Sequence, residues 1–496
     1  MPFPGYVLVF CGLFATFCSS LNLPGYALQA NGRLFETEDG KRFFWQADTA
    51  WGLFHKFSLE DADRYLTDRA SKKFNVILAT ALTQWGPKDK NRNGDLPLIS
   101  QDPTRPNEPY WKHVDRIVEM AFQKRIRIAM VPAWGGTYFF SSSNKPGILN
   151  GTNVKEFGHW IGKRYPGLPK LLVADINPIW TNKSAVVDDY RNRRSKTHKM
   201  TDYSPVYDKL AEGLISGEVE AGIDQETTPA MITIHPTNQW FTPGPIAISS
   251  AFFDNRPWLT FDASQTGHTN YQPNPPMAWW NAEKPYEAIE AMYKNPKPRP
   301  LIDNEAHYEN RYINGKNRDG KNTVWTAKDV RIGNMQSVFS GASGLTYGSD
   351  NVMQGYIPDV YKHDPSGPAV SVWSELSLAG AGQMQWIQKV ITDRAAFYSR
   401  IPDQSVIIGD VGAGEEHITA TRDSTGSFIM VYSPTGKPVT VETKSLSIGQ
   451  VKASWYDPTN GTYSSFEYLT GGSSQRLFSP PKSTTHPDWV LILEVV

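Results

Sequence analysis

The chain has 496 residues, with 50 Lys plus Arg against 50 Asp plus Glu. That balance leaves no bulk field to attract nucleic acid or an anionic membrane surface, so a neutral ligand is expected. The length exceeds what one hydrophobic core usually serves, and 16 Trp with 22 Tyr suit stacking on a flat ligand, although core packing accounts for most of them.

In chain order, the first element is an apolar run from Tyr6 to Phe17, too short to span a bilayer and followed by Ser19 and Ser20. This is the pattern of a secretory signal peptide, although no Lys or Arg precedes it. Residues 1–20 are therefore assigned to the signal and the protein is expected outside the cell. Both cysteines, Cys11 and Cys18, lie in this run, so cleavage removes every thiol. Sequons at Asn150, Asn182 and Asn460 suit a glycosylated product. No other stretch is long and apolar enough for a membrane span.

Short apolar runs follow at Phe43–Ala47, Val76–Leu82, Ile126–Val131, Leu171–Ala174, Met231–Ile234, Trp258–Phe261, Leu301–Ile302 and Gly344–Tyr347. Amphipathic helical patterns lie between most of them, such as Ser58–Phe74 (N-cap Ser58, Asp61 in the first turn) and Tyr110–Arg125. Eight strands alternating with helices predict an α/β fold, a (β/α)8 TIM barrel, over residues 21–404. A doubly wound sheet is the alternative, but no Gly-rich phosphate loop follows the first strand. A polar insert, Thr181–Met200, follows the fourth strand. After a long helix near Val372–Arg394 the pattern turns to short alternating runs with Gly and Asn-Gly turns. These predict an all-β sandwich over residues 405–496, linked through Tyr398–Gln404.

A barrel enzyme carries its chemistry just past the C-terminal ends of its strands. The residues there are Asp48 with Trp51, Gln84 with Trp85, Trp134, Asp175 with Asn177, His235, Asp262 with Gln265 and His268, Glu305 with His307 and Tyr308, and Ser349 with Asp350. Any single Asp reads as readily as a helix cap, but polar or aromatic residues at every strand end point to a site. Two carboxylates on different strands among Trp and His suit glycoside hydrolysis, in which one carboxyl protonates the leaving oxygen and the other attacks or stabilises the anomeric carbon. Asp175 and Glu305 are the natural pair. Strand alternation further places Leu301, Asp303 and Glu305 on one face, where Asp303 tunes Glu305. No His-x-x-x-His or His-Glu-x-x-His spacing suggests a metal, no Gly-x-Ser-x-Gly elbow suggests a serine nucleophile, and no cofactor is called for.

The segments DGKRFFWQADTAWGLFHKFSLEDADRYLTDRASKKFNVI (39–77), TIHPT (233–237), TFDASQTGH (260–268), IDNEAHYE (302–309) and YSRIPDQS (398–405) together resemble the apiosidase-like glycoside hydrolases, family 140. The resemblance covers nearly the whole mature chain. It implies a (β/α)8 catalytic domain with a C-terminal domain labelled collagen-binding, Asp175 as acid/base, Glu305 as nucleophile, and Asp48, Trp51, His235, Gln265, His268 and Tyr308 around the sugar. The expected partner is a carbohydrate, neutral or pectic. The rival reading is a non-catalytic carbohydrate- or matrix-binding protein on a barrel scaffold, whose cheapest signature, loss of a carboxylate, is missing.

Overall fold

The computed structural model describes residues 20–21, 23–139, 147–180, 201–237, 247–269, 282–313, 322–464, 466–472 and 475–496. The predicted signal run with both cysteines, the Asn182 sequon and the insert 181–200 lie outside them. Eight strands, β1 (Trp45–Thr49), β2 (Val76–Leu82), β3 (Arg127–Trp134), β4 (Lys170–Ala174), β5 (Ile232–His235), β6 (Asp262–Ser264), β7 (Leu301–Asp303) and β8 (Gly344–Tyr347), run parallel. Six join in the order β5-β4-β3-β2-β1-β8, and β6 pairs with β7. Two backbone bonds just ahead of the strands close the ring: Thr260 N–H to the Ile232 carbonyl at 3.0 Å and Ser343 N–H to the Leu301 carbonyl at 2.9 Å.

The main helix of each strand–helix unit is α1 (Leu59–Ser71), α2 (Glu108–Gln123), α3 (Val154–Arg164), α4 (Ser204–Glu220), α5 (Ser249–Phe253), α6 (Pro285–Tyr293), α7 (Ala327–Phe339) and α8 (Ala379–Thr392), with single-turn helices at Leu53–Lys56, Gly135–Tyr138, Asp350–Met353 and Val372–Glu375 beside them. Ser58 and Asp61 cap α1 reciprocally, the Ser58 side chain accepting Asp61 N–H at 3.1 Å while Asp61 accepts Ser58 N–H at 3.2 Å. Tyr110, Trp111, Val114, Ile117, Val118 and Ala121 form the buried stripe of α2 at helical spacing. Because helices cover the outside and side chains fill the inside, β2 is buried along its whole length.

Alternate strand residues, including Trp45, Ala47, Val76, Leu78, Ala129, Val131, Leu171 and Ile302, fill the barrel. An antiparallel hairpin, Leu28–Asn31 with Leu34–Thr37, plugs its N-terminal end. There Phe35 stacks on Trp45 at 5.2 Å and meets Phe261 edge-on at 5.6 Å, and the Ser343 hydroxyl donates to the Arg33 carbonyl at 2.7 Å.

Three expectations shift. The sixth strand begins after its apolar run, because Trp258 and Leu259 pack against the helix layer and only Phe261 enters the barrel. The long helix near Val372–Arg394 is two, Val372–Glu375 and α8, with the chain turning where Lys72 Nζ takes the Leu376 carbonyl at 2.5 Å. The expected link, Tyr398–Gln404, supplies the first strand of the C-terminal sheet, since Arg400–Pro402 pairs antiparallel with Thr419–Asp423.

That sheet continues through Phe428–Ser433, Trp489–Val495 and Gln450–Asp457. Alternation divides its residues between two cores. Phe428, Met430, Tyr432, Val490 and Ile492 pack with Met335, Phe339, Met384 and Ile387 of α7 and α8, while Ile429, Val431, Leu491 and Leu493 face the small sheet formed by Ile407–Ile408, Val439–Glu442 and Gln475–Phe478. Within the shared core Arg331 of α7 grips Asp488 with two bonds of 2.7 and 2.6 Å, and the Tyr432 hydroxyl adds a third at 3.1 Å.

Removing one member of such a pair strands the other's charge or donors in an apolar interface. Arg331→Met should cost about 3–5 kcal/mol in urea unfolding at pH 7, and the double variant Arg331→Met/Asp488→Leu should recover part of it. Burial pushes the Asp488 carboxyl up, but the bonds from Arg331 and His486 outweigh it and hold it at about 2. The wild-type advantage should therefore be full above the ordinary carboxylate pKa and disappear as the pH falls through about 2.

Candidate active site

β7 ends at Asp303, and the next peptides turn back across the barrel mouth, so the alternation expected to place Asp303 and Glu305 on one face does not persist. Ile302 points into the barrel, Asp303 meets the β6 end through Ser264 and Thr266, and Glu305 swings over the mouth. Glu305 is 7 % exposed. One of its oxygens, Oε1, lies 2.8 Å from His268 Nε2, and the other, Oε2, lies 3.4 Å from His235 Nε2.

The backbone fixes the tautomer of His268. Its Nδ1 accepts the Tyr308 N–H at 3.2 Å, so in the neutral ring the proton sits on Nε2 and is donated to Glu305. Burial, with the charge of Arg311 acting the same way, lowers His268 to about 4, and burial lowers His235 too. For Glu305, burial alone would raise the carboxyl; the His268 hydrogen bond and the positive charge of Arg311 outweigh it and hold it well below the usual carboxylate range. At neutral pH the centre is thus a carboxylate that accepts one neutral imidazole N–H, from His268, with the His235 ring at 3.4 Å. Arg311 supplies the permanent positive charge nearby, its Nη1 tied to Asp350 at 3.1 Å.

Asp175 follows β4 in the left-handed backbone region, at φ +56°. Asp tolerates this conformation better than most residues, and strain of this kind tends to collect at functional positions. Its N–H donates to the His235 carbonyl at 3.1 Å. His235 therefore touches both carboxylate residues, one through its main chain and one through its ring. A reciprocal pair, Asn177 Nδ2 to the Thr237 carbonyl at 2.8 Å and Thr237 N–H to Asn177 at 3.0 Å, locks the β4 and β5 ends together. Trp51 meets His235 edge-on at 5.4 Å and Trp134 at 5.9 Å, forming an aromatic wall. The Tyr308 ring lies 4.4 Å from His268, and Gly348 is needed beneath it because a Cβ there would sit 2.2 Å from the ring.

The strand-end residues thus divide. Glu305, His235, His268, Tyr308, Trp51 and Trp134 converge, with Asp175 beside His235. Gln265 is buried between Ser264 and Thr266, and Gln84 is half-buried with its carbonyl accepting the Thr137 hydroxyl at 3.1 Å. Three others turn away from the mouth. Asp48 faces outward and binds Tyr65 and Arg69 of α1, at 2.7 and 2.5 Å. Asp262 takes the Ser250 N–H of α5 at 2.9 Å. His307 donates to the Asp329 carbonyl at 2.8 Å and stacks on Trp325. Glu309 is also structural, holding the Tyr347 hydroxyl at 2.6 Å and Gly380 N–H at 3.1 Å. Arg311 was not singled out in the sequence, although an Arg six positions after the carboxylate was a legible signal. Among the described residues no group of three His, Cys, Asp or Glu is placed to hold a metal ion, and no helix is long and apolar enough to cross a membrane.

Residues 29–398 match the family model described as "Apiosidase-like, catalytic domain", and residues 401–494 match "Putative collagen-binding domain of a collagenase". Among solved structures, one titled "Glycoside hydrolase" is 24% identical with a TM-score of 0.77, covering 96% of this chain and 98% of its own. A glycoside hydrolase family 5 protein from Bacteroides vulgatus is 23% identical with a TM-score of 0.77, covering 95% of this chain and 94% of its own. No curated protein matches.

A buried imidazole kept neutral makes the native state bind fewer protons than the unfolded chain between about pH 6.5 and 4, so stability should fall as the pH drops through that window. His268→Gln keeps an amide N–H for Glu305 but cannot titrate. Between pH 7 and pH 5 the wild type should lose about 2 kcal/mol more than this variant in urea unfolding.

Proposed function

Because the chain belongs to the apiosidase-like family, we propose that it is a secreted glycoside hydrolase that cleaves glycosidic bonds in plant-cell-wall-type polysaccharides or oligosaccharides by a retaining mechanism. The observation that carries the reading is the Glu305 carboxylate, buried at the barrel mouth yet held ionised by His268, His235 and Arg311. A nucleophile for an anomeric carbon must be anionic and poorly hydrated, and this environment supplies both conditions.

In the first step Glu305 bonds to the anomeric carbon while the glycosidic oxygen departs with the proton of Asp175. Oε1 is engaged by His268 at 2.8 Å, whereas Oε2 lies at the longer distance of 3.4 Å from His235 and is the attacking atom. In the second step Asp175 takes a proton from water, the water oxygen bonds to the anomeric carbon, and Glu305 leaves as carboxylate. Trp134, partly exposed and backed edge-on by the buried Trp51, offers apolar surface to the sugar's C–H face. Asp175, one peptide from the Ala174 that closes β4, is held by its N–H bond to the carbonyl of His235, the residue whose ring approaches Glu305.

Glu305→Gln should be nearly inactive on every glycoside tested. Asp175→Asn should lose on the order of 10²- to 10⁴-fold with a poor leaving group and much less with an activated aryl glycoside, and azide should rescue the second step. Incubation with pectic fragments and aryl glycosides, with identification of the released sugar, tests the activity; substantial turnover by Glu305→Gln would remove this residue from the nucleophile's role. Secretion is tested separately by N-terminal sequencing of the exported protein, which should begin near Leu21.

A further inference from the structure

Asp303 takes no part in the two chemical steps, yet its carboxylate is nearly inaccessible and lies at the junction of the two loops that build the nucleophile. It accepts the Thr266 N–H at 3.1 Å, the Thr266 hydroxyl at 2.5 Å and the Ser264 hydroxyl at 3.4 Å. Those residues lead directly into Gly267 and His268. From there the bonds return to the β7 end: Gly267 N–H to the Glu305 carbonyl at 3.0 Å, His268 Nε2–H to Glu305 Oε1 at 2.8 Å, and Tyr308 N–H to His268 Nδ1 at 3.2 Å. Nearer the strands, Asn304 N–H bonds to the Ser264 carbonyl at 2.9 Å.

We infer that Asp303 is a positioning residue for the nucleophile, clamping the Thr266–His268 loop so that the His268 N–H is aimed at Glu305. The geometry explains why the residue is acidic. Four donors converge on it, the Thr266 N–H and hydroxyl, the Ser264 hydroxyl and the Glu305 N–H, and a carboxylate offers only acceptors, whereas an Asn in the same place would turn an N–H toward one of them. Keeping an anion here costs free energy: burial pushes its carboxyl up to about 6 despite the bonds from Thr266, Glu305 N–H and Ser264. An apolar or amide side chain would avoid that cost, so the charge is retained for what it holds in place.

The inference rests on the glycosidase reading, and its test separates the two. On a glycoside that the wild type cleaves, Asp303→Asn should lower kcat by about 10- to 100-fold with KM within about twofold, because a nucleophile misaimed by a fraction of an ångström still leaves the sugar bound. Thr266→Val should lower kcat less, Thr266→Ser should stay near wild type, and Asp303→Asn/Thr266→Val should be no slower than Asp303→Asn alone. Amide hydrogen exchange should quicken at Thr266 and Gly267 in Asp303→Asn, a readout that needs no turnover. Wild-type turnover combined with an Asp303→Asn kcat within twofold of it, additive single variants, or unchanged exchange at Thr266 and Gly267 would each overturn the inference. A change in KM alone would do the same. Should Asp303→Asn fail to fold, the contrast between Thr266→Val and Thr266→Ser decides it, equal kcat values overturning the clamp.

Discussion

The structure turns on one electrostatic demand: a carboxylate must stay ionised where almost no water reaches it. Ordinary burial would protonate Glu305, and a guanidinium bonded directly to it would quench its reactivity. The protein takes a middle course, with a neutral imidazole N–H at 2.8 Å, a second imidazole at 3.4 Å, and Arg311 contributing charge while its own bond is spent on Asp350. Much of the loop architecture at the barrel mouth serves this arrangement. Tyr308 N–H selects the His268 tautomer, Gly348 makes room for the Tyr308 ring, and Glu309 fastens the segment behind them to Tyr347 and Gly380.

The same segment ties the site to the C-terminal domain. α7 follows the loop that carries Glu305, packs behind His307, and carries Arg331 into the sandwich core, where Asp488 receives it. Because the sheet residues alternate between α7/α8 and the small second sheet, the sandwich is an outer wall of the barrel's helix layer as well as a domain in its own right.

Much of this was legible in the sequence, for identifiable reasons. The strand positions of β2 and β8 follow from apolar runs bounded by polar residues, and the cap of α1 follows from Ser58 and Asp61. The barrel follows from the alternation of those elements. What period and polarity could not reveal is which way a polar strand-end residue faces. Asp48, Asp262 and His307 carry the same chemistry as the residues of the site, yet each turns toward a neighbouring helix: Asp48 and Asp262 sit on the outward faces of their strands, and His307 lies in the loop beyond β7. Asp303 and Glu305 show the same limit: two residues apart, they would share a face on a continuing strand, but β7 has already ended. The sandwich boundary shifted for a related reason, since a three-residue strand containing Pro402 carries almost no periodic signal.

The plug beneath the barrel has a temporal consequence. Phe35 and Arg33 are among the first residues of the described chain, but their partners Phe261 and Ser343 are hundreds of positions later, and the bond between Arg33 and Ser343 closes a loop of 310 residues. On the edge away from β2, β1 pairs with β8, so neither floor nor wall can be completed until most of the polypeptide has been made. Contacts that distant form slowly, after the large entropy of loop closure has been overcome. With this wiring, the barrel locks only once the segment carrying β8 and Ser343 has joined the rest.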